Sequence, residues 1–136
     1  MGLTVLDAGV VIALLDASDA HHPAAIASVG DARDRGDTLL LPTSAYAECL
    51  VAPHRRGPDA VAVVDRLLDA LPVRVEPADR SIARAAAALR AAHGTSLRLP
   101  DALVVATAIV RGADRIITTD AGWPAVGVRV EVLATT

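Results

Sequence analysis

The stretch Leu99-Pro100-Asp101-Ala102-Leu103-Val104-Val105-Ala106-Thr107-Ala108-Ile109-Val110 constrains the fold of this chain more than any other. Pro100 suits the first turn of a helix, where a missing N–H costs nothing, and Ala, Leu and Val then occupy every side. A helix of that kind is expected to be buried and to carry Asp101 inside with it. An ionised carboxylate in such a place needs a partner or a cation. Taken alone, Asp101 reads as a complement to the helix macrodipole and the first free N–H groups. Three further acids, Asp7, Glu48 and Asp120, change that reading, because each falls where a strand should end or a buried helix begin.

Hydrophobic residues make up 53% of the chain but aromatic residues only 1%, so the core must be Ala, Val, Leu and Ile. Small helices stacked on Val-rich strands answer that composition. Short β-branched and apolar runs predict strands over 4–6, 38–41, 73–76, 115–118 and 128–133. Between them, helical spacing covers 9–15, 24–35, 45–51, 59–71, 79–93 and 99–110. The helix with Glu48 in its second turn is expected to stop near Pro53, leaving His54-Arg55-Arg56-Gly57-Pro58 as a basic turn. The pattern predicts one α/β domain over 1–136, a central parallel sheet of about five strands flanked by helices on both faces. Ligands collect beyond the carboxyl ends of such strands. Asp7 ends the first and Asp120 follows the fourth, so the two lie side by side if those strands are neighbours.

The formal net charge is -3, which argues against a passive nucleic-acid-binding surface. Neutralising the four acids with metal would turn -3 into +1 and leave 13 basic residues, all arginine, to face phosphate. Cys49 is the only cysteine, which excludes an intramolecular disulfide and reads as a small buried hydrophobe. The apolar run over 8–15 follows Asp7 with no basic segment before it, unlike a secretory signal, and the apolar run ending at Arg111 is too short to span a bilayer. A cytoplasmic protein without a membrane partner is expected.

Four carboxylates converging in a partly apolar cleft repel one another unless a divalent cation holds them. With no His or second Cys at ligand spacing, oxygen ligation favours Mg²⁺ or Mn²⁺ over Zn²⁺, and phosphodiester hydrolysis is the chemistry this fits. Val5-Leu6-Asp7, the Glu48 helix after Leu41-Pro42-Thr43-Ser44, Leu99-Pro100-Asp101-Ala102-Leu103 and Ile117-Thr118-Thr119-Asp120 resemble the four acidic blocks of the PIN-domain family, in order and across nearly the whole chain. Size and coverage most resemble VapC-type toxins. The resemblance implies a Mg²⁺- or Mn²⁺-dependent endoribonuclease that cuts RNA, structured RNA such as tRNA or rRNA included, and so inhibits translation and growth. It implies a homodimer held inactive by a VapB-type antitoxin, a segment of which occupies the cleft. Asp7, Glu48, Asp101 and Asp120 match the family's catalytic, metal-binding acids. Relatives often carry a Ser or Thr just after the first acid, whereas this chain has Ala8-Gly9; Thr43, Ser44, Thr118 and Thr119 are the hydroxyls able to support the acids instead.

Arg55, Arg56 and Arg98 are candidates for RNA phosphate contacts. Adjacent His21 and His22 diverge on a turn and suit a helix start better than one ion. Trp123 suits packing against the sheet end, with base stacking as the other role. Two other phosphate chemistries fail on residue type. A haloacid-dehalogenase-type phosphatase needs an acid two residues after the first, where Gly9 stands, and a catalytic Lys, and the chain has none. A receiver-type phospho-acceptor fails on the same Lys and on paired acids after the first strand. A PIN-like module that has lost catalysis and binds RNA or a protein is the remaining alternative.

Overall fold

A computed structural model describes residues 2–136. The chain runs β1 (Leu3–Leu6), α1 (Ala8–Leu15), α2 (His22–Asp34), β2 (Thr38–Pro42), α3 (Thr43–Arg56), α4 (Pro58–Ala70) and β3 (Val73–Glu76). It continues through α5 (Arg80–His93), a 3₁₀ turn at Gly94–Ser96, α6 (Leu99–Arg111), β4 (Arg115–Thr118) and β5 (Arg129–Val132). The strands form one parallel sheet in the order β3-β2-β1-β4-β5. The α/β architecture is as the sequence predicts, and β1 and β4 are neighbours, which meets the condition for Asp7 and Asp120 to lie side by side.

β1 sits at the centre, in register with β2 through Val5 and Leu40 and with β4 through Val5 and Ile116. Strands flanked on both sides and covered on both faces must be apolar throughout, and Val5, Leu6, Leu39, Leu40, Leu41, Ile116 and Ile117 are all buried. Right-handed crossovers outward from β1 to β3 carry α1 to α4, and the return to β4 carries α5 and α6; opposite directions of travel put the two sets on opposite faces. All carboxyl ends therefore open to one side, where Asp7, the start of α3, and Thr119-Asp120 emerge.

Two expectations need correction. Helix α3 does not stop at Pro53 but runs on to Arg56, so Arg55 and Arg56 lie in its last turn rather than in a loop. Pro53 is buried, and its ring lines a hollow shared with Leu15 and Val64. Tertiary packing here outweighs the lost ladder hydrogen bond. Helix α6 is not enclosed on every side either. Val104 to Ala108 are buried, but Leu99 is 53% and Ile109 44% exposed, because sheet and α5 cover only part of its circumference. Gly112 ends α6 in the left-handed region at φ 68°, donating its N–H to the Ile109 carbonyl.

Candidate active site

Asp7 is the N-cap of α1. Its carboxylate accepts the Ala8 N–H at 2.8 Å and the Thr118 hydroxyl at 2.7 Å, and its own N–H donates to the Ile117 carbonyl at 3.0 Å. Only 8% of it is exposed, and burial pushes its carboxyl above the usual carboxylate range. The bonds from Thr118 and Ala8 pull it back, and Asp120 pushes it further up. Asp101 stands in the first turn of α6, half-buried, its carboxyl raised by burial and by Asp7 and Asp120 and lowered by Arg98. Glu48 is more exposed, in the second turn of α3, and is raised by partial burial, Asp7 and Asp101, with Arg98 again opposing. Asp120 follows β4; its backbone N–H donates to Thr118 Oγ1 at 3.1 Å, and its Oδ1 accepts the Gly122 N–H at 2.8 Å.

The four acids from four separate segments thus share one field. Among the described residues none of them is in a salt bridge. Among the same residues, no group of three or more His, Cys, Asp or Glu side chains is gathered so as to hold an ion. The acids feel one another across the cleft without meeting at a point. An all-carboxylate donor set without an ion-pair partner, in which Asp7, Glu48 and Asp101 are raised, fits a hard divalent cation.

Of the hydroxyls singled out in the sequence, only Thr118 bonds to an acid. Thr43 donates to the Glu76 carbonyl at 2.8 Å and ties α3 to β3. Ser44 Oγ is buried without a partner. The Thr119 hydroxyl rests against the first turn of α1, in the space a Cβ on Gly9 would fill. That contact explains a Gly at a helical position otherwise surrounded by Ala and Val, which the sequence reading passed over.

Arg98 faces Glu48 and Asp101. Arg56 lines a hollow of about 230 Å³ with Glu48, and Arg55 is exposed on the same turn of α3. His22 Nδ1 lies 2.6 Å from the Ala13 carbonyl and His21 Nδ1 3.4 Å from Asp19, both at the start of α2 and apart from the acids. Burial pushes the Cys49 thiol up to about 12, with Asp7 and Glu48 adding to it, which leaves it protonated and unreactive. A hollow of about 500 Å³ lies beside the amino ends of β2 and β3, between Arg33, Thr38, Val73 and Arg74. Parallel sheets bind ligands at the other end, so chemistry rather than volume locates the site.

Among the described residues, no helix is long and apolar enough to cross a membrane. No curated protein sequence matches the chain. Its fold is similar to that of VapC20 of Mycobacterium tuberculosis, a toxin that cleaves the sarcin–ricin loop, with 20% identity, 83% of this chain and 86% of that one covered, and a TM-score of 0.65. VapBC2 from Rickettsia felis, solved bound to a promoter DNA fragment, matches at 12% identity over 97% and 99% of the two chains with a TM-score of 0.76. FitAcB from Neisseria gonorrhoeae matches at 20% identity over 93% and 95%, with a TM-score of 0.67. A family model described as the PIN domain matches residues 4–128, and the chain belongs to the PIN domain family.

Proposed function

We propose that this protein is a Mg²⁺- or Mn²⁺-dependent endoribonuclease acting as the toxin of a VapBC-type pair, cutting RNA phosphodiester bonds in the cytoplasm and so inhibiting translation and growth. One observation carries the reading: Asp7, Glu48 and Asp101 are each raised by burial and by other acids of the cluster, and no member of the cluster has a salt-bridge partner among the described residues. Asp7, Glu48, Asp101 and Asp120 would hold the ion. A divalent ion bound there supplies Lewis-acid activation of water and neutralises charge on the scissile phosphate and the leaving oxygen. Thr118 fixes the Asp7 carboxylate. Arg98 and Arg56 offer guanidinium groups to the phosphates on either side, with Arg55 beside them. The substrate is structured RNA such as tRNA or rRNA.

The toxin role draws support from family membership and from a fold shared with VapBC and FitAcB proteins. A VapB-type antitoxin is the proposed partner. A hollow lined by Ile12, Leu15, Ala52 and Pro53 together with Asp16, Glu48 and Arg56 adjoins a second one at Ala60 and Val63, a partly apolar surface beside Glu48 for such a partner. A homodimer is the proposed assembly.

The separation of the acids favours a second reading, a catalytically weak module that binds RNA or a protein. Incubating antitoxin-free protein with a cellular RNA pool, with Mg²⁺, Mn²⁺ or EDTA and beside Asp7→Asn, separates the two. Discrete products that disappear with EDTA and in Asp7→Asn are expected. Folded protein that cleaves nothing with either metal overturns the nuclease.

A further inference from the structure

We propose that Arg90, in the last turn of α5, is a positioning residue for Asp101, its guanidinium fixing the loop from which α6 starts. Helix α1 is capped by the Asp7 side chain and α5 by that of Asp79, whereas no side chain caps α6, whose first turn carries Asp101. An uncapped start frays unless something outside the helix holds it. In the loop before it, Gly94, Thr95, Ser96 and Arg98 are exposed and only Leu97 is buried. Arg90 Nη1 donates to the Gly94 carbonyl at 2.6 Å and to the Leu97 carbonyl at 3.0 Å, so one nitrogen spans the 3₁₀ turn from end to end. Gly94 donates its own N–H to the Arg90 carbonyl, and backbone and side chain of one residue thus grip the glycine from both sides. At φ 58° that position suits glycine alone. The Ser96 hydroxyl adds a bond to the His93 carbonyl at 2.6 Å. The clamped Leu97 carbonyl adjoins Arg98, whose own carbonyl accepts the Ala102 N–H at 2.8 Å as α6 begins. Bonds from a charged donor are strong, so the clamp sets the direction in which α6 leaves and carries Arg98 and Asp101 with it. The Asp7 and Asp120 carboxylates accept bonds of their own; Asp101 is placed from a distance, through Arg90.

The clamp itself needs no metal; its consequence for an ion rests on the nuclease reading. Arg90→Met keeps an apolar stem without the donor, and Arg90→Lys keeps a charged donor. Backbone ¹⁵N relaxation of metal-free protein reads the effect without depending on overall stability. In the parent, order parameters at residues 95–98 and at Asp101 should match the rigid value of about 0.85. In Arg90→Met they should fall toward about 0.6 while β1 and β4 stay rigid, and Arg90→Lys should restore most of the order. A rigid Asp101 amide in folded Arg90→Met overturns the proposal, even in a protein that neither binds Mn²⁺ nor cuts RNA. In a parent that binds Mn²⁺, calorimetry should show Arg90→Met weakening the affinity about tenfold, with no further loss when Arg90→Met is added to Asp101→Asn. Unchanged affinity, or an equal loss in the Asp101→Asn background, also overturns it. If Arg90→Met does not fold, Arg90→Gln, whose amide stops short of both carbonyls, takes its place in each comparison.

Discussion

Thr118 and Asp7 are 111 residues apart in sequence, yet the Thr118 hydroxyl donates to Asp7 Oδ2 at 2.7 Å. Thr118 Oγ1 in turn accepts the backbone N–H of Asp120 at 3.1 Å, so one buried side chain sets the spacing of the two acids that leave β1 and β4.

Thr118→Val keeps the shape and removes the hydroxyl. Loss of a bond to a buried charged group is expected to cost about 1.5–3 kcal/mol of stability and to reduce RNA cleavage about 10- to 100-fold. Thr118→Ser should retain most of both. Denaturant melts and initial cleavage rates check this, and a fully active valine variant would show that the bond does not position Asp7.

Asp7→Asn separates stability from function. Burial raises the Asp7 carboxyl, so its ionised form strains the metal-free protein at neutral pH. Asn can still cap α1. The variant should be inactive yet melt higher, by about 2–4 °C if the gain is near ~1 kcal/mol. A lower melting temperature at neutral pH, measured without metal, contradicts this.

The pH dependence has a definite sign. A raised acid binds its proton more tightly folded than unfolded, so stability falls as pH climbs from the ordinary value, 3.8 for Asp7 and Asp101 and 4.5 for Glu48, through the raised one. Asp37, held below its ordinary value by Arg35, and Asp79, held below it by the Ile82 N–H, act in the opposite sense but only below 3.8. The melting advantage of Asp7→Asn should therefore vanish at about pH 4 and grow toward about pH 7. Added Mn²⁺ should stabilise the parent most at neutral pH, since protons compete for the same oxygens. A metal effect that grows as pH falls would count against carboxylate ligation.

Gly9→Ala tests the close approach of α1 to Thr119. Ala is the better helix former by about 1 kcal/mol, yet its Cβ would overlap the Thr119 hydroxyl. Overpacking should prevail, with a net loss of about 1–3 kcal/mol. In a Thr119→Ala background the hydroxyl is gone and the penalty should shrink or reverse. Equal effects of Gly9→Ala in both backgrounds would show that the two residues are not coupled.

The sheet was legible because central parallel strands must be apolar throughout, and Val5-Leu6, Leu39-Leu40-Leu41 and Ile116-Ile117 stand out as such. The adjacency of Asp7 and Asp120 was legible only as a condition, since acids at the ends of neighbouring strands share a sheet end, and the order that makes β1 and β4 neighbours is set by the fold. What depended on distant packing was not legible. Pro53 signals a helix end locally, but burial beside Leu15 and Val64 carries α3 through it. Thr43 precedes the Glu48 helix as a helper of the acids would, but β3 brings the Glu76 carbonyl to its hydroxyl. The run of Ala and Val in α6 states that the helix is apolar, not how many neighbours surround it, so exposed Leu99 and Ile109 were hidden. Gly9 and Thr119 meet only once β1 and β4 are paired.

The place of β1 between β2 and β4 has a consequence during synthesis. The first strand made finds its second neighbour only when β4, near the end of the chain, has left the ribosome. At translation speeds of about 5–20 residues per second, the nascent chain spends several seconds without Asp101 and Asp120. An unfinished copy therefore completes its candidate site only after the sheet has closed around β1.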